Sequence, residues 1–134
     1  MTGKKGCGEK MKIIPGILIS GGILVGLSIA EIRFVNKTFD TFHKGLTEIY
    51  QKTESCEATH EDGTALQIFW EEKKKLLYIW LPHTLVDQVD YHMGEALGYL
   101  YQGNYEDSLP KFELLLDMAE TIPRAYKILP ENIF

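Results

Sequence analysis

The chain has few of the residues that build covalent or metal frameworks. It holds two cysteines, Cys7 and Cys56, and four histidines in 134 residues. No CxxC pair and no Cys/His run at metal-ligand spacing occurs. This excludes a disulfide scaffold and a structural zinc site as the basis of the fold. No cysteine follows the amino-terminal apolar run where a lipid-modified cysteine would stand, which argues against lipid anchoring. No phosphate-cradling glycine loop is present, because the glycines of that run are flanked by apolar residues and serve packing. No motif sets nucleophile, base and oxyanion donor together, so we expect neither catalysis nor a cofactor. Nothing reads as a pair of alternating strands, and the expected class is all-α.

Positive charge is scarce past the amino terminus. Residues 31–134 carry ten Lys/Arg against eighteen Asp/Glu. Such a domain repels phosphates, which argues against nucleic acid as a partner.

What the chain does have is one long apolar run, Ile13 to Ala30, of eighteen uncharged residues. As a helix it covers roughly 27 Å, close to the ~30 Å hydrocarbon core of a bilayer. Lys4, Lys5, Lys10 and Lys12 precede it against a single Glu9, while Glu31, Arg33 and Lys37 follow it with mixed sign. Lysines beside a first span tend to stay in the cytoplasm. The expected organisation is a basic cytoplasmic tail (1–12), a transmembrane signal anchor (13–30) and an extracytoplasmic domain (31–134). Cys7 and Cys56 then lie on opposite sides of the membrane and cannot pair within one chain. Cys56 is expected to be buried as a small hydrophobe. The competing reading is a secretory signal peptide cleaved before Glu31, with Ser28 and Ala30 at the −3 and −1 places. Retention is favoured because the run is long for a signal and the amphipathic pattern continues beyond it. Gly22 and Gly26 make a GxxxG step suited to close helix approach, though glycine is also simply common in membrane helices. Pro15 falls in the first turn of the span, where a missing N–H costs least.

Past Glu31 the apolar positions Ile32, Val35, Phe39, Phe42, Leu46 and Ile49 alternate three and four apart, a single helix face. Thr53 and Cys56 extend the same seam to about Ser55. Fewer than four clean heptads favour packing within one domain over a coiled-coil dimer. His60-Glu61-Asp62-Gly63 reads as a turn, with Thr64 capping a second helix over 66–81 whose buried set is Leu66, Phe69, Trp70, Leu76, Leu77 and Trp80. Pro82 ends it. A third helix is expected from Thr84 or Leu85 to about Tyr101, burying Val86, Val89, Met93, Leu97 and Leu100. After Gly103-Asn104 a fourth runs from about Tyr105 to Glu120 with Leu109, Phe112, Leu115, Leu116 and Ala119 inward. Pro110 predicts a kink or a start delayed to Leu109, and Pro123 a stop. The apolar tail Ile128 to Phe134 is expected to dock back. The whole is an antiparallel bundle of about four helices with short connections.

Gly94-x3-Gly98, Gly103-Asn-Tyr105 and Ser108 look like one helix-turn-helix of a tetratricopeptide array. No second copy follows, so the likeness suggests a helical hairpin only. The layout as a whole resembles a family of small bacterial membrane proteins known as a domain of unknown function, found mainly in clostridia and other endospore formers. The resemblance is carried by the single span, Trp70 and Trp80 flanking a basic–apolar helix, Trp80-Leu81-Pro82-His83, and Val86-Asp87-x-Val89-Asp90. The closing Ile122-Pro123 and Leu129-Pro130-Glu131-Asn132-Ile133-Phe134 also fit, while Pro110 departs from the pattern. It implies a multi-span membrane protein as partner and supplies no reaction and no catalytic residue.

Two candidate sites follow. His83, Asp87 and Asp90 fall four and seven residues apart on one helix face, where a metal ion or a proton-linked ligand would find three donors. The plainer alternative is helix capping by Asp87 and local hydrogen bonding. Phe34, Phe39, Phe42 and Leu46 form the candidate partner-binding set for an integral membrane protein or for self-association, and otherwise belong to the core. The charge run Glu71 to Lys75 reads as a solvated face, and Glu106-Asp107 as an acidic helix start. Cys56 with His60 four residues on lacks a third orienting group and reads as an incidental thiol. Seven aromatic residues, Trp70, Trp80, Tyr78, Tyr91, Tyr99, Tyr101 and Tyr105, exceed the needs of one small core. Some are expected at the surface, against headgroups or a partner.

Overall fold

A computed structural model describes the backbone from Thr2 to Ile133 and the side chains of residues 15–125. Among the described residues there are four helices and no strand: α1 (Thr2–Glu54), α2 (His60–Trp80), α3 (His83–Tyr101) and α4 (Tyr105–Ile133). The chain divides into two compact units, residues 1–33 and 34–134.

In the first unit, the described side chains from Pro15 to Ala30 are all exposed, Leu18 to 70%. Pro15 lies inside α1 rather than in a first turn, because the helix already begins at Thr2. Nothing approaches the places where a Cβ would stand on Gly22 and Gly26.

The second unit is an up-down-up-down bundle. Its seam on α1 is the one the periodicity predicts: Val35, Phe39, Phe42, Leu46 and Ile49 are buried. Phe42 stacks against Phe69 and lies 5.0 Å from the Trp70 ring centroid. Trp70 and Leu77 of α2, Val86, Val89, Met93 and Ala96 of α3, and Phe112, Leu115 and Ala119 of α4 complete the core. Burying side chains of this size contributes roughly 1.5–3 kcal/mol each. Two polar pairs bind α1 to α4: Tyr50 Oη donates to Glu113 at 2.7 Å, and His43 meets Glu120 at 3.2 Å. One residue climbs as its partner descends, which is the antiparallel register. Gly63 lets the start of α2 approach the end of α3, since a Cβ there would lie 2.8 Å from the Tyr101 ring.

Several boundaries differ from those expected. His60 to Gly63 is the first turn of α2, not a connection. Thr59, not Thr64, is the cap: its hydroxyl accepts from the Asp62 N–H while Asp62 accepts from the Thr59 N–H. This capping box satisfies two donors at once. Asn104 and Asp107 also pair reciprocally before α4, though here it is the Asn104 side-chain amide that donates to Asp107 while Asn104 Oδ1 accepts the Asp107 N–H. That helix starts at Tyr105, as its expected bound has it, rather than at Leu109. It passes Pro110 and Pro123 to reach Ile133. The proline penalty of about 3 kcal/mol is outweighed by the apolar seam, which continues through buried Leu115, Ala119 and Ile122. The docking expected of the tail concerns side chains outside the described residues.

Cys56 is exposed, not buried. The α1 seam stops at Thr53, and two hydrogen bonds then turn the chain outward: Cys56 N–H to Thr53 O at 3.1 Å and Glu57 N–H to Lys52 O at 2.7 Å. This is a Schellman ending with Cys56 in the left-handed region, φ 57. Leu76 is likewise exposed rather than core. It stands on the flank of α2 away from Trp70 and Leu77. Tyr91 is widely exposed and Trp80 half-buried, while Trp70 is fully buried.

Candidate functional site

The densest polar region lies between α2 and α3. Trp70, Lys74 and Tyr78 recur every four residues, so one stripe of α2 faces α3. Trp70 Nε1 donates to Asp90 Oδ1 at 3.2 Å, and Lys74 Nζ donates to the same oxygen at 3.1 Å. Lys74 also meets Glu71 at 3.0 Å. One turn along, Tyr78 Oη donates to Asp87, and the Tyr78 ring packs 4.8 Å from the His83 imidazole.

Charge follows from these partners. The Glu71 hydrogen bond and then the Asp90 carboxylate raise the Lys74 pKa, keeping it a cation. The Asp87 hydrogen bond raises that of the Tyr78 phenol, keeping it a neutral donor. A lysine clamped by two carboxylates is a poor nucleophile, and a phenol above its usual pKa is a poor base. The arrangement ties two helices together.

The three residues proposed from spacing are therefore separated by their partners. His83 lies against Tyr78, Asp87 accepts from Tyr78, and Asp90 accepts from Trp70 and Lys74. Among the described residues no group of three His, Cys, Asp or Glu side chains could hold a metal ion. Asp87 does not cap α3 either. The cap of α3 is Pro82, which has no side chain to accept. Spacing along one helix could not show that donors on the next helix would claim each carboxylate.

The set Phe34, Phe39, Phe42 and Leu46 divides between core and surface. Phe39, Phe42 and Leu46 are core, each at most 1% exposed. Only Phe34 is half-exposed, with Lys73 Nζ 6.0 Å from its ring centroid. Of the charge run, Lys74 is drawn into the α2–α3 contact rather than solvated.

The exposed apolar residues of the bundle fall elsewhere. Ile68, Leu76 and Ile79 project from the outer side of α2, opposite Trp70 and Leu77. Ile68 and Ile79 are three turns apart on one line, a spacing visible in the sequence but masked by the richer inner seam. A groove of about 290 Å³ also runs between α1 and α2, floored by Gly45, Ile49, Leu66 and Phe69 and closed at one end by the Lys52–Asp62 ion pair. At the Cys56 end, His60 stacks 4.0 Å from the Tyr101 ring and contacts Thr64. The imidazole is thus engaged away from the thiol.

A family model described as a domain of unknown function, DUF4363, matches residues 29–133. The chain belongs to that family, an uncharacterised one as the sequence resemblance implied. No curated protein and no solved structure matches the chain.

Proposed function

We propose that this family member is a single-span membrane protein of non-catalytic, accessory kind. In this reading residues 13–30 are the retained anchor, the basic tail is cytoplasmic, and the helical bundle lies outside the membrane. The bundle serves an integral membrane protein as partner.

The observation that carries the reading is the exposure of the apolar run. From Ile17 to Ile29 the large aliphatic side chains are 47–70% exposed, and the most apolar stretch has none of its residues buried within the chain. A row of this kind in water would be opposed by about 25 cal/mol for each Å² of apolar surface. A bilayer removes that opposition. The bundle supports an accessory role: its densest polar region is engaged in holding helices together, while Ile68, Leu76 and Ile79 remain on its outer face.

The test is affinity purification of the full-length chain from its native membrane in mild detergent, followed by mass spectrometry. A stoichiometric multi-span membrane protein is the expected companion. Recovery of the intact chain alone would sink the accessory reading, and recovery of a chain beginning at Glu31 would show a cleaved signal peptide.

A further inference from the structure

The two ends of the bundle differ in chemistry. At the end formed by the α1–α2 and α3–α4 connections stand Glu54, Glu57, Glu61, Asp62, Glu106 and Asp107. The opposite end, where Phe34 begins the unit, receives the last two turns of α2. These present Lys73, Lys75, Leu76, Ile79 and Trp80. Ile79 is 66% exposed and Leu76 45%. Lysine beside exposed aliphatics and a half-buried tryptophan is the set that settles at a headgroup boundary: the rings and methyls enter while the amines stay among phosphates.

Register fixes how far this set extends. Phe42 and Trp70 are level, with ring centroids 5.0 Å apart. Phe34 lies eight residues from Phe42 along α1, about 12 Å, and Trp80 ten residues from Trp70 along α2, about 15 Å, in the same direction. Trp80 and Ile79 therefore reach the extreme end of the bundle, past the level of Phe34. Only three residues separate Phe34 from Ala30, so the chain between them spans at most about 14 Å. A bundle tethered this closely keeps that end within reach of the headgroups of the bilayer that holds its anchor. Of the nearby acids, Glu71 is paired with Lys74. Asp87 keeps its charge, because its partner Tyr78 is a neutral donor, and Glu72 stands beside Lys73. Lys73 and Lys75 thus offer exposed amines beside the apolar residues rather than a net positive tip.

We propose that the carboxy-terminal turns of α2 rest on the lipid surface, with Ile79 and Trp80 in the headgroup layer and Lys73 and Lys75 facing anionic phospholipid. The inference rests on the anchor reading above. The occupant is lipid rather than a protein because the exposed apolar residues at this end are joined to lysines in an otherwise acidic domain and are held beside a bilayer by the chain itself.

The test uses the full-length chain with Cys7→Ser and Cys56→Ser, reconstituted in vesicles of phosphatidylcholine with phosphatidylglycerol. A polarity-sensitive fluorophore is attached in one sample through Ile79→Cys and in another through Ile68→Cys. Both sites are exposed and outside the core, so folding is preserved, and they share one face about 16 Å apart. In the vesicles the label at 79 should emit to the blue of that at 68, and lipids carrying a nitroxide at headgroup depth should quench most of its emission while leaving that at 68 unaffected. Adding Lys73→Gln and Lys75→Gln should reduce the quenching at 79 and remove its dependence on phosphatidylglycerol and on salt. Equal protection at both sites without lipid quenching would mean that a protein or a second copy covers the stripe, and would overturn the inference. So would an unquenched label at 79 in a chain that survives an alkaline carbonate wash. A chain stripped from the vesicles by that wash removes the anchor reading and this inference with it.

Discussion

Cys56 and Gly103 occupy the same position in two equivalent helix endings. Each is the first residue past its cap. Each sends its N–H back three residues, Cys56 to Thr53 and Gly103 to Leu100, while the following residue reaches back five, Glu57 to Lys52 and Asn104 to Tyr99. Both have positive φ, 57 and 75. Glycine adopts this conformation freely, whereas a residue with a Cβ does so against a steric cost of roughly 1–2 kcal/mol.

Exchanging the two residue types should therefore move stability in opposite directions. Gly103→Ala is expected to destabilise the bundle by about 1 kcal/mol, and Cys56→Gly to stabilise it by up to about 1 kcal/mol after allowing for the freer unfolded chain. Urea unfolding of the detergent-solubilised protein, followed by tryptophan fluorescence, measures both.

Phe42 is a core residue, so its loss should act on folding rather than on binding alone. Phe42→Ala is expected to cost about 3–5 kcal/mol in the same unfolding experiment. A variant of unchanged stability that merely lost a partner would contradict the packing of Phe42 against Trp70 and Phe69.

Acid should loosen the start of α2. The Thr59 amide, joined by Lys52, holds the Asp62 carboxyl below its ordinary pKa. A depressed folded pKa means that the contribution is intact above the usual carboxylate value of about 4 and is lost as pH falls through the lower folded value. Glu95, lowered by His92 and Lys111, acts in the same direction. Circular dichroism during acid titration should show Asp62→Ala already weakened at neutral pH, by about 1 kcal/mol, with a shallower further loss below pH 4.

Tyr50 should ionise late. Its hydrogen bond to Glu113 pushes the phenol up to about 12. The neutral phenol is the donor, so the α1–α4 link is intact below the ordinary tyrosine value of about 10 and is lost as pH rises through the folded one. Tyrosinate absorbance should show one of the highest-titrating components missing in Tyr50→Phe.

The elements legible in the sequence were those set by long periodic seams. The three-and-four alternation from Val35 to Ile49 identified the buried face of α1, and the inward positions Val86, Val89, Met93 and Leu97 on α3 came out the same way. Gly103-Asn104 marked a true boundary because glycine there meets a positive φ. Boundaries failed where a reciprocal hydrogen bond decided them: a turn-like His-Glu-Asp-Gly became helix because Thr59 and Asp62 cap each other. Proline misled at 123, where apolar burial on the same helix outweighed the lost N–H. The candidate sites were the least legible part. Asp87 and Asp90 do share a helix with His83, but the partners that separate them, Tyr78, Lys74 and Trp70, come from another helix. Phe39 and Phe42 could be assigned to core or surface only once α2 was seen to cover them.

An even number of antiparallel helices returns the chain to the pole from which it started. Phe34 and Arg124 both belong to the end where α1 enters and α4 leaves, as the neighbouring Asn36, Asp40, Pro123 and Arg124 show. Whatever follows Arg124 therefore leaves from that pole, and a tag carried on it competes there with whatever the pole meets. The opposite pole is composed of two tight loops, at Ser55–Glu57 and at Gln102–Gly103, which are solvent-exposed. Short insertions in those loops are the way to mark or crosslink this protein while leaving its tethered pole untouched.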